Sequence, residues 1–478
     1  MLFNSLKFII FFPTVTLLYY LIPYRFRWSF LLVASYYFYM CWDPEYILLI
    51  TASTFVSYIT ALLMEKCSNK SKKKLCLIVS IVVNVGILFV FKYFNFFNDS
   101  LKSLFNYFNI FYDLPAFRLL LPVGISFYTF QVLSYSIDVY WGKTKPEKHY
   151  GIFSLYVAFF PQLVAGPIER STKLLPQFFR EHKFNFQQVK SGALLMLWGF
   201  FQKTVIADRL AIYVSEAFSR PAEYPGSVFY VALAFFLIQV FCDFSGYSDI
   251  AIGGARILGF DLMKNFRLPF FATSVVEFWN RWHMSLTTWL RDYIYFPLGG
   301  GRKGAVRTYI NIMILMGLVG LWHGAAWTFV LWGLFHGVMM GLSRLSSKFW
   351  ARFYKILRVP DGIAKVIGMF ITFNIISFSG LLFRAGNLSE SLIIMRKLFF
   401  NFNLSGLQIV GLNNYGFFIA ICALLILFFV HLIQRKQSMG KFLSKLPRGV
   451  RWALYYALIF SIMIFGEFNL TPFVYFQF

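Results

Sequence analysis

Five stretches of this chain, Tyr46–Met64, Leu75–Phe91, Leu119–Ile137, Tyr224–Cys242 and Val366–Phe383, contain no Lys, Arg, Asp or Glu. A helix crossing a bilayer needs about 20 mostly apolar residues, within a range of roughly 17–25. In lipid the backbone must satisfy its own polar groups, which restricts such stretches to helices or closed barrels. Their length favours helices. Two longer apolar stretches, Thr308–Ser343 and Leu398–Gln434, are long enough for two elements each. At the start, Lys7 precedes Phe8–Tyr24, and the chain then runs through Arg25 and Arg27 into further apolar sequence. A signal peptide ends in a small-residue cleavage site, so this first segment is expected to remain as a span. Only 14% of the residues are charged, against roughly 25% in soluble domains. The expectation is an all-α membrane protein. It is a single polytopic domain over residues 1–478, with about 11–12 spans plus re-entrant or interfacial helices.

The formal charge of +25 would suggest nucleic acid in a soluble chain. Here the positive residues lie between the spans, where cytoplasmic Lys and Arg set orientation and meet anionic inner-leaflet lipids. No nucleic-acid-binding motif accompanies them. The loop Glu65–Lys74 carries five lysines against one Glu and is placed inside. Alternation then puts Pro23–Arg27, Asp138–His149, Arg344–Lys365 and Arg435–Arg451 inside, and each is rich in Lys or Arg. Trp42–Tyr46 and Lys92–Arg118 fall outside. The five cysteines are scattered, with neither C-x-x-C nor a disulfide framework, and read as packing residues.

Two segments do not fit simple crossing. Tyr150–Leu163 is apolar, yet both flanks are basic, with Arg170, Lys173, Arg180, Lys183 and Lys190 following. It reads as re-entrant or interfacial, and irregular backbone at membrane depth must be covered by protein or line a cavity. Arg256–Arg307 is too charged to span and unusually aromatic. It reads as interfacial amphipathic helices, dipping inward.

The chemistry-bearing residues stand out against this background. His323 and His336 lie in "VGLWHGAAWTFVLWGLFHG", inside a charge-free stretch from Thr308 to Ser343. Ionisable residues within membrane segments are rare and tend to mark pathways or sites. A neutral buried imidazole can take a proton from a hydroxyl, which makes His323 a candidate general base; the alternative is a histidine bonded to a neighbouring helix. One straight helix would put the two histidines on nearly opposite faces at roughly 100° per residue, so a bend near Gly324 is expected. Gly333, Gly337 and Gly341 form a small-xxx-small ladder, which assigns His336 a supporting place beside a helix crossing. His283 lies in "FWNRWHMSLTTWLRDY", among Trp279, Trp282 and Trp289. Glu277 and Arg281 are spaced to pair across one turn. Arg281 and Arg291 are candidates to hold donor phosphates, or are plain interfacial charges. Asp243 and Asp249 in "FCDFSGYSDIAIGG" read as helix caps or site residues. Gly299-x-Gly301-x-x-Gly304 lacks the strand and βαβ context of a dinucleotide loop, and no metal-ligand spacing occurs.

"FWNRWHMSLTTWLRDYIYFPLGGGR" followed by "GLWHGAAWTFVLWGLFHG" resembles the membrane-bound O-acyltransferase (MBOAT) family, in its alginate O-acetyltransferase branch. "LPVGISFYTFQVLSYSIDVY", "PQLVAGPIER" and "DFSGYSDIAIG" resemble the same branch in the same order, so the likeness runs from roughly Leu2 to Leu470. The resemblance implies a many-helix bundle around a tunnel. It implies an essential His323 beside Trp322, a second site position at His283 and a supporting His336. It further implies an acetyl donor on the cytoplasmic side, acetyl-CoA or an acylated carrier, with no bound cofactor. The acetyl would pass toward an extracytoplasmic polysaccharide, often through an SGNH-hydrolase-type partner, in a bacterial inner membrane. D-alanyl transfer to teichoic acids is the alternative within the resemblance. A transporter or flippase without chemistry, or a recruiting scaffold, is the alternative outside it, although no inverted hydropathy repeat is visible.

Overall fold

The computed structural model describes residues 1–117, 120–164, 166–403, 409–468 and 473–474. They form helices and turns, with no strand among them. The chain divides into two compact units, Met1–Ala193 with Ala251–Met263 and Leu194–Ile250 with Lys264–Phe478. The helices of the first are α1 (Leu6–Leu21), α2 (Tyr24–Met40), α3 (Ile47–Lys66), α4 (Lys70–Leu88), α5 (Phe94–Tyr107), α6 (Ile125–Tyr140), α7 (Tyr150–Ala158), α8 (Phe160–Leu163) and α9 (Ser171–Phe178). Then come α10 (Phe186–Phe200), a π turn at Phe201–Ala207, α11 (Asp208–Ser219), α12 (Gly226–Ile257), α13 (Val275–Arg281), α14 (Met284–Leu290), α15 (Ala305–His323) and α16 (Trp327–Ile356). The series closes with α17 (Asp361–Arg384), α18 (Leu388–Phe400), α19 (Asn414–Lys436), α20 (Met439–Ser444) and α21 (Arg448–Phe465).

Eight helices among the described residues are long and apolar enough to cross a membrane: Pro44–Lys66, Lys70–Tyr107, Gly226–Ile257, α15, α16, α17, α19 and α21. The difference from the 11–12 expected lies in helices that fall short by length or carry charge. Helices α1, α2 and α6 have 16, 17 and 16 residues, and the run from α10 through α11 holds Lys203, Asp208 and Arg209 in its middle. The span expected from Leu119 begins outside the described residues, and its helix is α6. Ala165 of "PQLVAGPIER", 404–408 of the stretch Leu398–Gln434, and residues 469–470 at the end of the resemblance also lie outside them.

In the first unit, buried polar side chains join α3, α4 and α6. Asn84 donates to Ser57 Oγ at 3.0 Å, Ser53 donates to Asn84, and the Ser80 and Ser136 hydroxyls meet at 2.9 Å. Lipid supplies no hydrophobic drive between helices, so contacts of this kind hold them together. The segment Tyr150–Leu163 is broken, as expected. Helix α7 stops at Phe159, whose ψ is 109°, and Pro161 opens the short α8. From Ile152 to Val164 every residue is buried. The backbone freed at the break finds protein partners: Gln131 and Gln162 each donate to the Tyr156 carbonyl at 2.7 Å, and Ser35 Oγ accepts the Phe160 N–H at 3.1 Å.

In the second unit, α15 and α16 form a close hairpin. A Cβ at Gly320 would collide with the Phe329 carbonyl, and one at Gly333 with the Met316 carbonyl. The stretch Thr308–Ser343 thus splits in two at Gly324, the expected place. Helix α12 departs from expectation. The apolar run to Cys242 does not end there; one 32-residue helix continues to Ile257, so Asp243 and Asp249 lie inside it and cap nothing.

Candidate active site

Helix α15 ends on His323. Gly324 turns extended, at φ −160° and ψ 150°, and α16 starts three residues later at Trp327. A Cβ at Gly324 would run into the Phe329 ring, so a small residue permits the tight return. The turn fixes His323 with 4% exposure, edge-on to the rings of Trp332 at 5.0 Å and Phe383 at 5.3 Å. Its imidazole lines a cavity of about 50 Å³. Water needs roughly 10–15 Å³ per molecule by the same measure, so the space suits a few waters or a small acyl group. The lining is aromatic and aliphatic except for His323, His336 and Ser379.

His336 faces the same cavity but is fully committed. Trp279 Nε1–H donates to its Nδ1 at 3.3 Å. A neutral imidazole that accepts at Nδ1 carries its proton on Nε2. That Nε2 lies 2.9 Å from Ser379 Oγ, whose own proton goes to the Ile376 carbonyl at 2.6 Å. The chain of donors is consistent along its length and fixes one tautomer. Trp332 stands between the two histidines, 5.0 Å from His323 and 4.7 Å from His336.

His283 occupies the joint between α13 and α14. It is fully buried, at a left-handed φ of 44°. The joint is tied down by Asn265, whose carbonyl accepts the Met284 N–H at 2.8 Å and whose side chain links Ser248 and Ser285. Ser285 gives its proton to Asn265 Oδ1, so its oxygen accepts from His283 Nδ1–H, at 3.5 Å. The lone pair then lies on Nε2. Burial pushes this imidazole down to about 3, so it is neutral at physiological pH. Trp322 separates the two site histidines, 5.7 Å from His283 and 4.9 Å from His323. His283 is therefore next to the histidine cavity through Trp322 without lining it.

The two arginines lie apart from that cavity's lining. Arg281 pairs with Glu277 at 2.5 Å, the expected i,i+4 contact, and Glu277 also accepts from the Thr273 N–H and hydroxyl. Arg291 follows α14 on a π turn, with 53% of its side chain exposed, and pairs with Asp292 at 3.0 Å.

The largest omission of the sequence reading is Lys203. It sits on the π turn at Phe201–Ala207, buried between Asp208 at 2.8 Å and Asp243 at 2.7 Å. Asp243 also accepts the Val474 N–H at 2.7 Å, and Asp249 accepts from Gln202 at 2.9 Å. A lone lysine in the apolar run "LLMLWGFFQKTVIADRLAIYV" was the available signal. Glu169, after the broken α7–α8 segment, is buried and accepts from the Met263 N–H. Burial raises its carboxyl to about 7. Among the described residues, no cluster of three or more His, Cys, Asp or Glu forms a metal site.

Residues 149–383 match the model of the membrane-bound O-acyltransferase family. The chain is 40% identical to the probable alginate O-acetylase AlgI of Pseudomonas putida, over 72% of this chain and 71% of that one. It is 31% identical to the peptidoglycan O-acetyltransferase of Helicobacter pylori, over 77% and 73%. It is 28% identical to the teichoic acid D-alanyltransferase of Streptococcus thermophilus, over 55% and 68%.

Proposed function

The chain belongs to the membrane-bound O-acyltransferase family, as a multi-pass enzyme of the alginate O-acetylase and peptidoglycan O-acetyltransferase type, and on that premise we propose that it moves acetyl from a cytoplasmic thioester to a polysaccharide hydroxyl outside a bacterial inner membrane. The donor is acetyl-CoA or an acylated carrier. The acceptor is reached directly or through an extracytoplasmic SGNH-type partner. Acetyl is preferred to D-alanyl because the acetylase relatives are more similar over more of the chain. Family membership sets aside the transporter and scaffold readings.

The observation that carries the mechanism is the placement of His323, which the helix end at the Gly324 turn sets on the wall of a small, mostly apolar cavity between the rings of Trp332 and Phe383. In the proposed step His323 takes the acceptor hydroxyl proton as that oxygen attacks the thioester carbonyl. The C–S bond breaks as the ester C–O bond forms, and the imidazolium returns the proton to the departing thiolate. General-base assistance of this kind contributes roughly 10²–10⁴-fold. Neutral His283, held by Ser285, acts through Trp322 as a positioning residue behind His323. Arg291 and Arg281 are assigned to the donor's phosphates, with the Arg281 guanidinium also paired to Glu277.

Sealed proteoliposomes test the direction. Radiolabelled acetyl-CoA is supplied on the face carrying the Lys-rich loops, and polysaccharide on the other, with and without an SGNH-type partner. Label is expected in the polysaccharide, dependent on the chain. Absence of label in every arrangement, with the chain folded, would overturn the proposal.

A further inference from the structure

The first unit holds a second cavity, of about 230 Å³, which shares no residue with the histidine cavity. Three arginines line it, Arg25, Arg27 and Arg180, and no carboxylate does. Three like charges around one space repel one another unless an anion joins them. Arg27 is held in place by backbone carbonyls: its Nη1 donates to His182 at 2.7 Å and its Nε to Ile22 at 3.0 Å. Its guanidinium lies 5.0 Å from the centre of the Tyr19 ring. None of these contacts neutralises its charge. His149 Nδ1 accepts the Ile152 N–H at 3.2 Å, which leaves Nε2–H as a further donor in the neutral ring. Trp28 lies against that histidine, 4.6 Å between rings, and Leu31, Ile152 and Phe260 give the cavity an apolar floor.

The sequence places Pro23–Arg27, which brings Arg25 and Arg27, and Asp138–His149, which brings His149, on the inner face, and Arg180 lies in the basic flank that follows Tyr150–Leu163. The structure gathers all of them at one cavity. Arginine forks match phosphate oxygens in geometry as well as charge. Tyr and Trp beside basic residues are characteristic of the membrane–water boundary.

We propose that this cavity binds a phosphate ester, gripped by Arg25, Arg27 and Arg180, with its less polar portion on the Leu31–Phe260 floor. An anionic phospholipid headgroup and a soluble phosphate ester share that chemistry, and the test separates them.

Purified full-length chain in detergent is titrated with phosphatidylglycerol and with zwitterionic phosphatidylcholine, and retained lipid is read by native mass spectrometry. A parallel arm measures coenzyme A and inorganic phosphate by equilibrium dialysis. Arg25 and Arg180 are both exposed, so the double variant Arg25→Gln/Arg180→Gln is compared with Arg25→Lys/Arg180→Lys; melting curves confirm that both fold. Preference for phosphatidylglycerol that falls about tenfold or more in the Gln pair, and is kept largely by the Lys pair, supports the site with a lipid source. The same pattern for coenzyme A or phosphate alone supports it with a soluble source. Equal binding of every probe by wild type and the Gln pair would overturn it.

Discussion

His323 and His336 share one cavity, where Trp332 touches both rings and Trp279 and Ser379 occupy both nitrogens of His336. Glu169, in the first unit, predicts a pH dependence. Its carboxyl is raised to about 7 in the folded chain, against roughly 4.3 in an unfolded one. The folded state therefore binds the extra proton, so this contribution is fully present below the unfolded value and is lost as pH rises through 7. Unfolding midpoints of detergent-solubilised chain should fall between about pH 4.3 and 7, and Glu169→Gln should flatten that slope while keeping an acceptor for the Met263 N–H. An unchanged slope would remove Glu169 as its source. Of the residues, the place of His323 at a helix end before Gly324 was legible, because a histidine beside a glycine in a charge-free stretch is conspicuous. The partners of His336 were not, since Trp279 and Ser379 stand 57 and 43 residues away in the chain and only tertiary packing unites them.

Among the elements, the α15–α16 hairpin is decisive for the site. Its close approach at Gly320 and Gly333 sets the spacing that lets Trp332 touch both histidines. A side chain at Gly333 must displace the Met316 carbonyl, so Gly333→Leu should lower the unfolding midpoint and reduce transfer together; overpacking of this kind typically costs about 1–3 kcal/mol. Retention of both properties would show that the crossing tolerates a wider gap. The hairpin was readable from the glycine ladder and from the helical offset between the histidines. Helix α12 was misread at Asp243. An acid after an apolar run reads as the end of a span, and its neutralising partner Lys203 lies on another element. The broken α7–α8 segment was readable from its basic flanks, because two basic flanks are expected on one side of the membrane and a short apolar stretch between them is then not expected to cross.

At the scale of the molecule, buried charge is concentrated in few places, and the Lys203–Asp208–Asp243 cluster is the clearest. Removing one member of a buried ionic group leaves uncompensated charge, at a cost of roughly 3–5 kcal/mol. Lys203→Met should therefore destabilise the chain strongly, and Lys203→Met/Asp208→Asn, which restores the original net charge of the cluster, should recover part of the loss in denaturant unfolding. A double variant no more stable than the single one would assign the cost to packing. The membrane class, the helical architecture and the family were legible in hydropathy and motifs. The span count was not, because helices of 16–17 residues and a helix with a buried lysine escape simple length and charge criteria. In the proposed mechanism His323 moves the acceptor proton. The most direct measurement is the initial rate of acetyl transfer by purified His323→Gln, with its unfolding midpoint matched to wild type. A loss of roughly 10²–10⁴-fold is expected; transfer at the wild-type rate by the folded variant would contradict a general-base role for His323.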